Sequence, residues 1–158
     1  MATNYPTTRP VTASPATGHP LHVILAAFPI AYFIGAFITD IIYANTAQMM
    51  WANFSIWMIT GGLIMGFIAA AVGLLDLFVV RRRDRTERQA WSRSGLHSVG
   101  NALVLILSLF NAFVHSRDAY TSVVPDGLIL SGIVSVLVLV TAWLGTALAY
   151  TPAVEVVK

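Results

Sequence analysis

A chain of 158 residues that is 57% hydrophobic and 10% charged lies far from the average soluble domain, which carries roughly 25% charged residues, and is expected to be an integral membrane protein. Its formal net charge of +2 offers no extended basic surface, so nucleic-acid binding is not suggested. With no cysteine, disulfides, thiolate metal sites, iron–sulfur ligation and covalently attached c-type haem are excluded, and a metal or haem would have to hang on His, Asp, Glu or Met.

From the N-terminus, residues 1–18 (MATNYPTTRPVTASPATG) are rich in Thr, Pro, Ala and Ser, a composition that buries too little apolar surface to order itself, and are expected to form a flexible polar tail. A transmembrane domain is expected over residues 19–150, with spans at about 21–44, 52–80, 95–116 and 127–150, each close to the ~20 residues that cross a ~30 Å hydrocarbon core. The first apolar run is too long for the core of a cleavable signal and lacks a basic leader, so it reads as a retained helix. It opens with His19, Pro20 and His22 and closes near Asp40. Met49 and Met50 in the following connection read as interfacial residues.

The second span carries Gly62, Gly66, Ala69, Gly73 and Asp76 along one face. Small residues at such spacing let helix backbones approach closely or clear space for a flat cofactor. After it come Arg81, Arg82, Arg83, Arg85, Arg88 and Arg93, whereas the other two connections hold only Arg117. The positive-inside rule makes the arginine-rich connection cytoplasmic and, with four spans, both termini cytoplasmic. On the third span His97, Asn101, Val104, Ser108, Asn111 and His115 fall within about 40° of one direction on a helix turning ~100° per residue. Lipid offers such groups no hydrogen-bond partner, so this stripe is expected to face protein. The fourth span opens after a Pro125-Asp126-Gly127 turn, and residues 151–158 form a C-terminal tail. Most of the Trp and Tyr residues fall near span ends, as in an interfacial aromatic belt. No tandem repeat is evident in the residues.

His22 and Asp40 stand eighteen residues apart, as do His97 and His115. Eighteen residues make five turns and ~27 Å of helix. Spans one and three run in the same direction, so His22 and His97 are expected at matched depth near the cytoplasmic face, with Asp40 and His115 matched near the outer one. Ionisable groups placed this way are a functional-site hypothesis by default. Asp76 is expected near the depth of the inner histidines, where a carboxylate could orient a ligating imidazole.

The segment HPLHVILAAFPIAYFIGAFITD, then GGLIMGFIAAAVGLLD and the later GLHSVGN stretch, resembles the bacterial membrane family of domain of unknown function 2231 over most of residues 18–150. The resemblance implies a four-helix protein of the bacterial inner membrane. Its relatives stand beside or are fused to redox modules such as Rieske domains and quinoprotein sugar dehydrogenases, which makes a redox or membrane-complex protein an expected partner alongside the lipid bilayer.

Three functions fit the residues. In the first, the chain is a b-type cytochrome with haem b between spans one and three, ligated by His22 and His97, with Gly62 and Gly66 beside the porphyrin and Arg93 or Arg88 at its propionates. It would pass electrons between a peripheral redox partner and the quinone pool, as an electron-transfer or accessory subunit rather than a stand-alone enzyme, with quinone as a possible second cofactor. In the second, it is a non-catalytic membrane anchor or structural subunit of a larger complex, whose polar stripe holds the bundle together. In the third, His22, His97, His19 and Asp76 bind a non-haem metal. Asp40 and His115 form an outer-side polar pair, a proton relay or a structural hydrogen bond.

Overall fold

In the computed structural model of the chain, residues 20–83, 88–117 and 123–149 are described, with side chains at 21–76, 78, 95–117 and 123–146. The architecture is all-helical: α1 (Pro20–Thr46), α2 (Met49–Arg83), α3 (Arg88–Ser116) and α4 (Leu128–Ala149), the last preceded by a π-helical turn, Val123–Gly127. All four are long and apolar enough to cross a membrane. Outward-facing positions are large and apolar, for example Phe28, Trp57, Phe67, Phe110, Val136 and Trp143, as expected of side chains whose solvent is hydrocarbon rather than water.

The first three helices run longer than the apolar windows predict, most of all α3, which begins at Arg88 rather than near residue 95. Its extra segment, Arg-Gln-Ala-Trp-Ser-Arg-Ser-Gly, opens on good helix formers, and a helix need not stop where the hydrocarbon does. Pro29 sits inside α1, where it cannot donate to the carbonyl one turn earlier.

Neighbouring helices in the sequence pack side by side, and α1 also packs on α4. The result is an up-and-down bundle, α1 and α3 diagonal to each other. The core has two buried clusters, Phe33, Val104, Val134 and Val138 between α1, α3 and α4, and Ala36, Ile59 and Leu63 between α1 and α2. Hydrogen bonds also tie helix to helix. Ser135 Oγ donates to the Phe33 carbonyl at 3.2 Å, Asn111 Nδ2 donates to Ser131 Oγ at 2.8 Å, and the hydroxyls of Thr39 and Ser55 share a hydrogen bond of 2.7 Å. In lipid the contribution of the hydrophobic effect to helix association is small, and such ties with close packing hold the helices together.

The two helical hairpins, α1–α2 and α3–α4, meet in the same register. His22 of α1 bonds the carbonyl of Ala69 and covers Gly73 of α2; His97 of α3 bonds the carbonyl of Thr141 and covers Gly145 of α4. Continued along the helices, Pro29 beside Gly66 corresponds to Val104 and Val138, and Asp40 corresponds to His115. This is a repeat of packing rather than of residues. Apart from the two histidines and their glycines, these paired positions share geometry while their side chains differ, and no tandem repeat is visible in the sequence.

Candidate functional site

The site is built at the end of the bundle where α1 and α3 begin and α2 and α4 finish. His22 comes from the first turn of α1 and His97 from the third turn of α3, and their ring centroids are 6.4 Å apart with planes at 85°. Each ring is held in the same way. His22 Nδ1–H donates to the Ala69 carbonyl at 3.0 Å, and His97 Nδ1–H donates to the Thr141 carbonyl at 2.9 Å. A carbonyl only accepts, so both rings carry hydrogen on Nδ1, and the acceptor nitrogen of each neutral ring is Nε2.

Glycine makes the approach possible. A Cβ at Gly73 would lie 2.8 Å from His22 Cε1, and one at Gly145 would lie 2.8 Å from His97 Cε1. Any larger residue at either position would push the imidazole off its carbonyl. His97 Nε2 in addition accepts from Asn101 Nδ2 at 3.0 Å, one turn along its own helix. Among the described residues, His22 Nε2 makes no hydrogen bond.

The rings border a cavity of about 80 Å³. Its lining is small and apolar at the level of the rings, with Ala26, Gly66, Ala69, Ala70 and Ala142, and is closed deeper in by Phe33 and Val104.

Each ring, with hydrogen on Nδ1, could offer Nε2 to a metal, and a carbonyl on Nδ1 is the usual device that fixes the ligating tautomer. The cavity as packed is large enough for an ion or a few waters, so a porphyrin would enter only with α2 and α4 drawn apart. Gly66 lines the cavity, although the side chain of Leu105 lies against it. Gly62 lies under the ring of Phe33, whose Cε1 would be 2.6 Å from a Cβ there, and so it serves a helix contact rather than the cavity.

Asp76 is half-buried and forms no hydrogen bond to either imidazole; the backbone carbonyls of Ala69 and Thr141 do the orienting that the sequence assigned to it. His19 lies outside the described residues, as do the side chains of Arg88 and Arg93. No group of three or more His, Asp or Glu side chains placed to hold one ion is found among the described residues.

At the opposite end, Asp40 and His115 are brought into direct contact, His115 Nε2 to Asp40 Oδ1 at 2.9 Å, and both are fully buried. The ring of His115 covers Gly127 of the π turn, where a Cβ would lie 2.7 Å from Cε1. The stripe that joins the two ends faces inward throughout: Val104, Ser108, Asn111 and His115 are buried, and His97 and Asn101 half-buried. The carbonyl clamps and the glycine seats were missed by sequence reasoning, because they depend on the vertical register of neighbouring helices. The only sequence signal for them is a glycine late in span two and another late in span four.

No characterised protein and no solved structure matches the chain. A family model described as predicted membrane protein matches residues 18–158, in keeping with the four apolar helices, and the chain therefore belongs to the predicted membrane protein family DUF2231.

Proposed function

We propose that the chain is a membrane electron-transfer subunit of the bacterial inner membrane that would hold one haem b between α1 and α3, with His22 and His97 as its ligands. The observation that carries this reading is the pair of diagonal imidazoles 6.4 Å apart, each presenting Nε2 because its Nδ1–H is held by a carbonyl of the neighbouring helix. Haem bound there would supply one-electron exchange. The residues of the chain supply position and surroundings. Ala69 and Thr141 hold the two rings, Asn101 would have to give up its bond to His97 Nε2 for that nitrogen to ligate, and Ala26, Gly66, Ala70 and Ala142 line the cavity. Arg88 and Arg93 precede His97 in the sequence and would offer cations to the propionates.

The arginine-rich connection faces the cytoplasm under this reading, which puts both termini and the histidine pair on the cytoplasmic side. Electrons would pass between a peripheral redox protein and the quinone pool. The test is redox difference spectroscopy of the protein in nanodiscs. Addition of a quinol analogue should produce the reduced α and Soret bands of a b-type haem, and oxidised quinone should remove them. Spectra insensitive to quinol and quinone in a haem-loaded protein would end the proposed coupling.

A second reading, a non-catalytic anchor of a larger membrane complex, is favoured by one feature of the same site. As packed, His97 has both ring nitrogens bonded within the bundle, and the cavity is small. On that reading His22 and His97 are interhelical ties. A protein that stays colourless when produced with ample haem, yet recovers a partner on mild solubilisation, would establish it in place of the first.

A further inference from the structure

The end of the bundle opposite the histidine pair holds a second titratable pair that electron transfer does not use. Asp40 and His115 are both fully buried, with Nε2 and Oδ1 2.9 Å apart. The other ring nitrogen fixes their proton count. His115 Nδ1 lies 3.0 Å from the carbonyl oxygen of Asn111, which only accepts, so Nδ1 carries a hydrogen. If Nε2 were then bare and Asp40 ionised, two lone pairs would face each other across 2.9 Å inside the protein. One proton must lie between them. It sits either on a carboxylic acid that donates to a neutral ring or on an imidazolium that donates to a carboxylate, and in both forms the charges of the pair sum to zero.

We propose that Asp40 and His115 are a proton-binding site that holds a single proton between α1 and α3 and exchanges it with water at that end of the bundle. The surroundings suit this. The other titratable groups described at this end are Tyr43, which is outside the core and donates to Met49, and Arg117 and Asp126, which are exposed and lie 3.6 Å from each other. No third charge among the described residues is therefore placed to balance a pair that carried one.

The second carboxyl oxygen, Asp40 Oδ2, is buried without a hydrogen bond, as are Asn111 Oδ1 and Ser108 Oγ on the facing helix. A purely structural clamp gains nothing from an open acceptor, whereas a proton site needs one at which water can deliver its hydrogen. Only glycine at position 127 leaves room for the ring, so the cover over this site is the short π turn Val123–Gly127. This inference stands apart from the haem reading and survives its failure.

Solid-state NMR of the protein in liposomes, labelled with 15N in histidine and 13C in aspartate, tests it directly, with Asp40→Asn assigning the signals of the pair and His115→Gln serving if that variant does not fold. The expected spectrum shows hydrogen on His115 Nδ1, together with either a protonated Asp40 or a protonated Nε2. After transfer to D2O the shared proton should exchange while the backbone amides of Val104 and Ser108 remain protected. An ionised Asp40 beside a neutral His115 would overturn the proton count. A shared proton that exchanges no faster than those core amides would overturn the binding site and leave a structural clamp.

Discussion

Each of the three described histidines rests on a glycine of another element, His22 on Gly73, His97 on Gly145 and His115 on Gly127. The bundle therefore sets imidazole orientation by leaving out side chains as well as by offering carbonyls. Gly127→Ala should displace the His115 ring from Asp40 and, as overpacking of a filled site, cost about 1–3 kcal/mol, to be read from unfolding in mild detergent. The buried pair itself makes a contrast. His115→Leu leaves the protonated Asp40 carboxyl buried without its partner and should cost about 1–3 kcal/mol, the range for stranding a buried polar group. Asp40→Asn keeps a hydrogen-bond donor for Nε2 and should lose much less, and equal losses in the two variants would contradict a neutral, proton-sharing pair. The spacing of His22, Asp40, His97 and His115 was legible in the sequence because helix rise is fixed at about 1.5 Å per residue. The partners of the three histidine Nδ1 atoms were not, since those partners are backbone carbonyls, and no residue type advertises a carbonyl.

Among the helices, α3 is the one whose role is plainest in the amino-acid sequence. Its stripe of His97, Asn101, Ser108, Asn111 and His115 turns inward, while Leu103, Ile106, Phe110 and Phe113 face outward. The small residues of α2 were harder to interpret, because the same spacing serves close packing and cofactor room alike. The structure divides them: Gly62 receives Phe33, whereas Gly66 and Ala69 border the cavity. Among the interhelical ties, Asn111 to Ser131 is buried and direct at 2.8 Å. A double-mutant cycle with Asn111→Ala and Ser131→Ala should give a coupling of about 0.6 kcal/mol and no more than ~1.7 kcal/mol, the span measured for such bonds inside membranes. A coupling indistinguishable from zero would show that this bond adds nothing to the packing of α3 on α4.

Across the bundle, the fold class followed from hydropathy and length, which act on each helix separately. The repeated register of the two hairpins did not, because it lies in how helices are paired. That register places both titratable pairs between the diagonal helices, a matched one of two histidines at one end and an unmatched one of aspartate and histidine at the other. The arginines predict an orientation in the bilayer that is checked simply in a chain without native cysteine. With Gln48→Cys and Arg85→Cys as separate probes, a membrane-impermeant maleimide added to right-side-out vesicles should label the first and spare the second. The reverse pattern would turn the molecule over.

Whether His22 and His97 hold one haem between them is decided by the haem-to-protein ratio, taken by pyridine haemochrome assay in the purified wild type, His22→Ala and His97→Ala. About one haem b per chain is expected in the wild type, the stoichiometry of a single bis-histidine site, with its Soret band lost or sharply reduced in each variant while both variants still insert and fold. A wild type without haem after production with ample haem, or full haem retained in either alanine variant, would contradict ligation by this pair.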